Sequence, residues 1–186
     1  MAVEIPRGIK EKLAAVQENL RPLVPGVRWE KAEKLHITLV FLGPPRLRRA
    51  ERGEAGEVPS ERAGKLEEIV RKGIKGIKPF KVGFSEIGFF PKGSRPRVVL
   101  LEIREGREEI EGLQKSLAEA LSNAGFGFAK LSKPHITLGR FKQQCSPTLR
   151  VGERVGESFK VKEVAIVESK LHPRGAIHTP IARVPL

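Results

Sequence analysis

Leu35-His36-Ile37-Thr38-Leu39 and, far downstream, Pro134-His135-Ile136-Thr137-Leu138 carry one tetrad twice, His-Ile-Thr-Leu. In an extended strand residues i and i+2 share a face. Each copy therefore sets an imidazole beside a hydroxyl, with Ile and Leu turned the other way into a core. Histidine is the side chain whose ordinary pKa lies where a proton can be given or taken near neutral pH. Two such strands meeting in one cleft would supply a general acid, a general base and two hydroxyl donors. That is a set of groups for moving protons around a phosphate without a metal.

Working outward, each tetrad follows an amphipathic helix. Ile9, Leu13, Val16 and Leu20 recur at helical spacing over about 7–20, and Ile110, Leu113, Leu117 and Leu121 do so over about 107–123. Strands are expected at 2–5, 35–42, 80–89, 97–104, 134–141, 159–168 and 177–185. A further helix is expected over 61–73, capped by Ser60, with Leu66, Ile69 and Val70 buried. Residues 44–60, rich in Arg, Gly and Glu, read as a flexible basic surface loop. The order helix, loop, His-x-Thr-Leu strand in both halves indicates an internal duplication. It predicts an α+β fold, a single bilobal domain over 1–186. Each lobe would be a mostly antiparallel sheet with helices on its outer face, and the cleft between the lobes would hold the active site.

Composition narrows the function. With 39% hydrophobic and 31% charged residues the chain is an ordinary globular one. No apolar run approaches the ~20 residues of a membrane span. The start, Met1-Ala2-Val3-Glu4-Ile5-Pro6, lacks an apolar leader core, and the one cysteine, Cys145, suits a reducing interior, so a cytoplasmic protein is expected. The net charge of +13 points to a polyanionic partner, nucleic acid first. Lys/Glu/Arg enrichment also fits a heat-adapted surface, but that does not require so lopsided a sign.

The stretches Leu35-His36-Ile37-Thr38-Leu39-Val40-Phe41-Leu42-Gly43 and Lys133-Pro134-His135-Ile136-Thr137-Leu138-Gly139-Arg140 resemble the paired signatures of the 2H phosphoesterase superfamily. The branch most similar is the RNA 2′,3′-cyclic phosphodiesterases, historically called 2′-5′ RNA ligases. Val27-Arg28-Trp29, Phe89-Phe90-Pro91, Arg95-Pro96-Arg97-Val98 and the ending Glu168-Ser169-Lys170-Leu171 with Gly175-Ala176 support the likeness, which covers nearly the whole chain. It implies metal-independent hydrolysis of a 2′,3′-cyclic phosphate at an RNA end to a 2′-phosphomonoester, with no cofactor. It also implies His36 as proton donor, His135 as proton acceptor, and Thr38 and Thr137 as donors to the phosphate oxygens. The residues alone leave the acid and base interchangeable. Arg140 matches a position that contacts the phosphate, yet simple alternation puts it opposite His135 unless the strand bulges near Gly139.

Departures from the pattern carry expectations of their own. Leu100 stands where relatives often have Trp, and His178 where they often have Tyr. Phe90 and Phe41 are possible stacking partners, with a core position favoured for Phe41; His172 and His178 read as structural. Arg46, Arg48 and Arg49 could touch the RNA backbone, a solvated loop being the simpler expectation. Zinc held by the two histidines lacks an evident third ligand. The expected partner is RNA with cyclic-phosphate ends, from tRNA halves to small nucleotides, bound by a monomer. Two alternatives stay open: ATP-independent 2′-5′ joining of RNA ends at the same site, and a non-catalytic RNA- or nucleotide-binding module. No phosphate-binding G-x-x-x-x-G-K-[ST] loop is present, which argues against ATP-driven joining.

Overall fold

Both tetrads form strands, and the two strands lie side by side. In a computed structural model of the chain, which describes residues 1–42, 60–93, 95–142, 155–170 and 177–186, the elements follow in the order β1 (Ala2–Glu4), α1 (Arg7–Leu20), β2 (Val27–Trp29), β3 (His36–Thr38), α2 (Ser60–Gly73), β4 (Phe80–Phe90), β5 (Val98–Glu105), α3 (Arg107–Asn123), β6 (His135–Phe141), β7 (Ser158–Val161), β8 (Glu163–Lys170) and β9 (Ile177–Pro185). The expected loop over 44–60 with Arg46, Arg48 and Arg49, except its last residue, lies outside the described residues, as do Cys145 and His172.

The fold is α+β, and every strand pair in it is antiparallel. The sheets of the two halves are hydrogen-bonded into one sheet of order β7-β4-β5-β6-β3-β1-β8-β9, with β2 added on β6. The tetrad strands β3 and β6 meet at its middle through Ile37 and Ile136. On one side of that pair stand β1, β8 and β9, on the other β5, β4 and β7. Each half builds its inner pair of strands around a helix: β1, α1, β3 in the first and β5, α3, β6 in the second. That is the duplication, seen as a pseudo-twofold relation through the Ile37–Ile136 contact.

The strand expected over 159–168 is two strands. Ser158–Val161 pairs with β4, while Glu163–Lys170 pairs with β1 and β9, so Lys162 carries the chain from one end of the sheet path to near the other. The path can be bridged by one residue only because the sheet curls into a half-barrel.

Hydrophobic burial follows the alternation. Ile37, Leu39, Ile136 and Leu138 are at most 2% exposed and join one core with Leu13 and Leu20 of α1, Leu66 and Val70 of α2, and Ile110, Leu113, Leu117 and Leu121 of α3. Burying a Leu or Ile side chain is worth roughly 1.5–3 kcal/mol relative to exposure, so these stripes decide which sheet face the helices cover. The imidazoles are left on the other face.

Two buried polar side chains interrupt the apolar stripes, one in each repeat. Gln17 of α1 donates from Nε2 to the carbonyls of Glu30 (2.9 Å) and Leu138 (2.8 Å). Gln114 of α3 donates to the carbonyls of Thr38 and Ser132, both at 3.2 Å. Each helix thus holds the tetrad strand of the opposite half.

Candidate active site

The Ile37–Ile136 pair fixes the site. Carried one residue either way, that antiparallel register sets His36 opposite Thr137 and Thr38 opposite His135. The four polar residues of the tetrads form a two-by-two block on one sheet face, hydroxyl and imidazole alternating. Directly opposed Cβ atoms lie about 5 Å apart and diagonal ones about 7–8 Å. The two histidines occupy one diagonal of that block.

Both rings are anchored alike. His36 Nδ1 lies 2.7 Å from the Lys34 carbonyl and His135 Nδ1 lies 2.8 Å from the Lys133 carbonyl, each two residues upstream. A carbonyl only accepts, so each Nδ1 carries the hydrogen and Nε2 is the nitrogen that exchanges protons with a substrate. His36 Nε2 also lies 3.1 Å from Thr38 Oγ1. Burial pushes the His36 pKa below the ordinary histidine value; the Lys34 carbonyl opposes this, and His178, the chain's amino terminus and Lys10 reinforce it.

Arg140 stands where the sequence could put it only conditionally. Between β5 and β6, Val99 pairs with Gly139 and Leu100 with Thr137, so Leu138 is an extra residue with no partner. This bulge resets the alternation: Leu138 and Gly139 are both buried and Arg140 is exposed, back on the face of His135 and Thr137. A side chain at Gly139 would meet Val27 Cγ1 at 2.5 Å and the Arg28 carbonyl at 3.2 Å, so glycine lets β2 close on the bulge. Arg140 Nε lies 3.7 Å from Glu30 Oε1, and Arg28 pairs directly across from Arg140.

Three features of the site were missed in the sequence. His178, read as structural, lies at the start of β9 and brings its ring centroid to 5.3 Å from that of His36, edge to face, so it borders the block. Burial, with Lys34 nearby, pushes its pKa down against the opposing pull of Glu30. Next, each histidine has a carboxylate directly across from it, Glu4 for His36 and Glu102 for His135. Glu4 is held by Arg183 at 2.7 Å, and Glu102 lies 4.0 Å from Arg107. The third is the pair of glutamines. The signal was present: Val3-Glu4-Ile5 and Leu101-Glu102-Ile103 precede the two helices, and each helix carries one Gln in its apolar stripe.

Phe41 is 55% exposed, against the core position favoured for it, and Phe90 is 62% exposed. Leu100, opposite Thr137, is half-buried at the edge of the block. Among the described residues no three His, Cys, Asp or Glu side chains converge as a metal site, and no helix is long and apolar enough to cross a membrane.

The family described as LigT like Phosphoesterase matches the chain over residues 3–100 and 101–178, one match for each tetrad. The RNA 2′,3′-cyclic phosphodiesterase of Archaeoglobus fulgidus is 32% identical, the alignment covering 96% of this chain and 94% of that protein. The enzyme of the same name from Methanothermobacter thermautotrophicus is 29% identical over 96% of this chain and 93% of its own. A crystal structure of a Thermus thermophilus protein superposes with a TM-score of 0.73 at 28% identity, covering 100% of this chain and 95% of that one.

Proposed function

The chain belongs to the LigT-like phosphoesterase family, and on that premise we propose that it hydrolyses RNA 2′,3′-cyclic phosphate ends to 2′-phosphomonoesters by metal-independent acid–base catalysis. The observation that carries this reading is the diagonal pair of imidazoles, each fixed through Nδ1 by a carbonyl of its own strand, with Nε2 left for substrate.

Water is a poor nucleophile, so His135 Nε2 takes its proton as the water oxygen bonds to phosphorus. The bond from phosphorus to O3′ breaks, and O3′ takes the proton from His36 Nε2. The phosphate remains on O2′. Exchange with solvent then returns a proton to His36 and removes one from His135. A positioned acid or base typically contributes 10²–10⁴-fold. Thr38, Thr137 and Arg140 donate to the non-bridging oxygens, where charge concentrates in the transition state.

Electrostatics sets a condition on this assignment. Burial favours neutral His36, yet an acid must carry its proton. The phosphodiester anion supplies what the free protein lacks: bound beside the ring, it raises the His36 pKa. The acid is therefore charged by its own substrate.

The test is incubation with a short RNA ending in a 2′,3′-cyclic phosphate, in excess chelator, followed by identification of the product. A 2′-phosphomonoester formed at the undiminished rate is expected. A 3′-phosphomonoester, or activity abolished by chelator, contradicts the proposal. Joined 2′-5′ ends in place of hydrolysis would give the site its ligase reading.

A further inference from the structure

Beside the tetrad block, the bulged end of the sheet carries a second cross-strand row. The register pairs Phe90 with Val98, Val98 with Arg140, and Arg140 with Arg28, one residue from each of β4, β5, β6 and β2. Directly paired residues share a face, and the Leu138 bulge turns that face to the side of His135 and Thr137. The row spans three interstrand spacings, about 14 Å, and lies roughly 10 Å along β6 from Thr137.

We infer that this row is the track for the RNA chain on the 5′ side of the cyclic end, with Arg28, beyond Arg140, holding a backbone phosphate and Phe90 stacking a base. The inference rests on the proposed reaction: a 2′,3′-cyclic phosphate occurs only at a 3′ terminus, so the rest of the polymer leaves the site from its 5′ side.

Charge selects this exit over the others. Within 26–30, 95–98 and 139–142 stand Arg28, Arg95, Arg97, Arg140 and Lys142 against the single carboxylate of Glu30. Arg28, Arg97, Arg140 and Lys142 are exposed. Directly across from the two histidines stand Glu4 and Glu102 instead, each ion-paired with an arginine, Arg183 and Arg107. The aromatic component is equally local. Phe90 is 62% exposed, whereas its neighbour Phe89 packs on Phe141 at 6.0 Å against the core. An exposed ring costs apolar burial and is a natural platform for a base; stacking of this kind tolerates any sequence.

The track separates two substrates that share the same chemistry. A cyclic mononucleotide fills the tetrad block alone, while an oligonucleotide with the same end also covers the row. The experiment measures kcat/KM for both substrates over a range of salt, with the native chain, Arg28→Ala and Phe90→Ala. It also measures the affinity of each protein for an oligonucleotide ending in a 2′-phosphate.

The native chain is expected to prefer the oligonucleotide, and each variant to cut the oligonucleotide-to-mononucleotide ratio at least tenfold. Arg28→Ala should lower the slope of log affinity against log salt by about 1, and Phe90→Ala should leave it unchanged. The inference is overturned if the native chain shows no oligonucleotide preference, or if the variants lower both substrates alike. Unaltered oligonucleotide affinity in both variants also overturns it. Failure of the native chain to turn over either substrate would instead count against the proposed reaction, and the affinity comparison would still decide the track.

Discussion

A histidine whose Nδ1 is tied to a carbonyl of its own strand exchanges protons through Nε2 alone, and its pKa is then set by what surrounds that edge. For His36 the main influence is burial, joined by His178, and both lower the pKa. The kcat/KM profile reports the free protein, so the limb that His36 sets should fall below the ordinary histidine value. The kcat profile reports the complex, and the His36 limb should lie higher there because the bound phosphate restores the proton. Replacing His178 by Phe keeps a ring against His36 and removes a titratable neighbour that lowers its pKa, so the His36 limb of kcat/KM should move to higher pH. A limb that stays in place would show that His178 has no electrical hold on His36. The same shift bears on stability. With the folded pKa below the unfolded one, the unfolded chain binds the extra proton more readily. Stability from this group is complete above the ordinary histidine pKa and is lost as pH falls from there toward the folded value.

At the scale of elements, the reciprocal glutamines hold the catalytic geometry. Gln17 reaches from α1 to the Leu138 carbonyl at the bulge, and Gln114 from α3 to the carbonyl of Thr38 itself. Replacing either by Leu removes two side-chain hydrogen bonds to backbone carbonyls and should cost about 1–3 kcal/mol of stability. It should also lower kcat more than it raises KM, because the diagonal of imidazoles loosens while the phosphate donors remain. Chemical denaturation with steady-state kinetics checks both; intact kcat in a destabilised variant would reduce the glutamines to packing. The helices α1 and α3 and the tetrad strand β6 were legible because their apolar spacing marks most of each element. The breaks were not. Alternation carried past Thr38 puts Phe41 with Ile37 and Leu39 in the core. The strand instead stops at Thr38, and the amides of Leu39 and Val40 both turn to the Met1 carbonyl. Leu39 and Val40 are then both buried and Phe41 emerges. The split at Lys162 was equally hidden, since 159–168 reads as one strand and only the partners of its two halves separate them. The bulge at Leu138 was readable as a condition, through Gly139. The approach of His178 to His36 joins residues with no pattern between them.

Over the whole molecule, one chain carries both tetrads, so a single copy holds both histidines that the proposed reaction uses. The duplication explains why: a pseudo-twofold relation through Ile37 and Ile136 brings two copies of one motif to one place with their polarity reversed, so that the acid and base of the proposed reaction stand on one diagonal. Groups that act as a unit on one reacting atom are strongly non-additive, since losing either one removes most of what both supply. Single-turnover rates on a cyclic-phosphate-ended RNA, for the native chain, His36→Ala, His135→Ala and the double variant, therefore test the shared phosphate most directly. Each single variant should fall by about 10²–10⁴-fold and the double variant little further. Losses that multiply in the double variant, or a single variant that keeps its rate, would mean that the two histidines do not serve the same phosphorus atom.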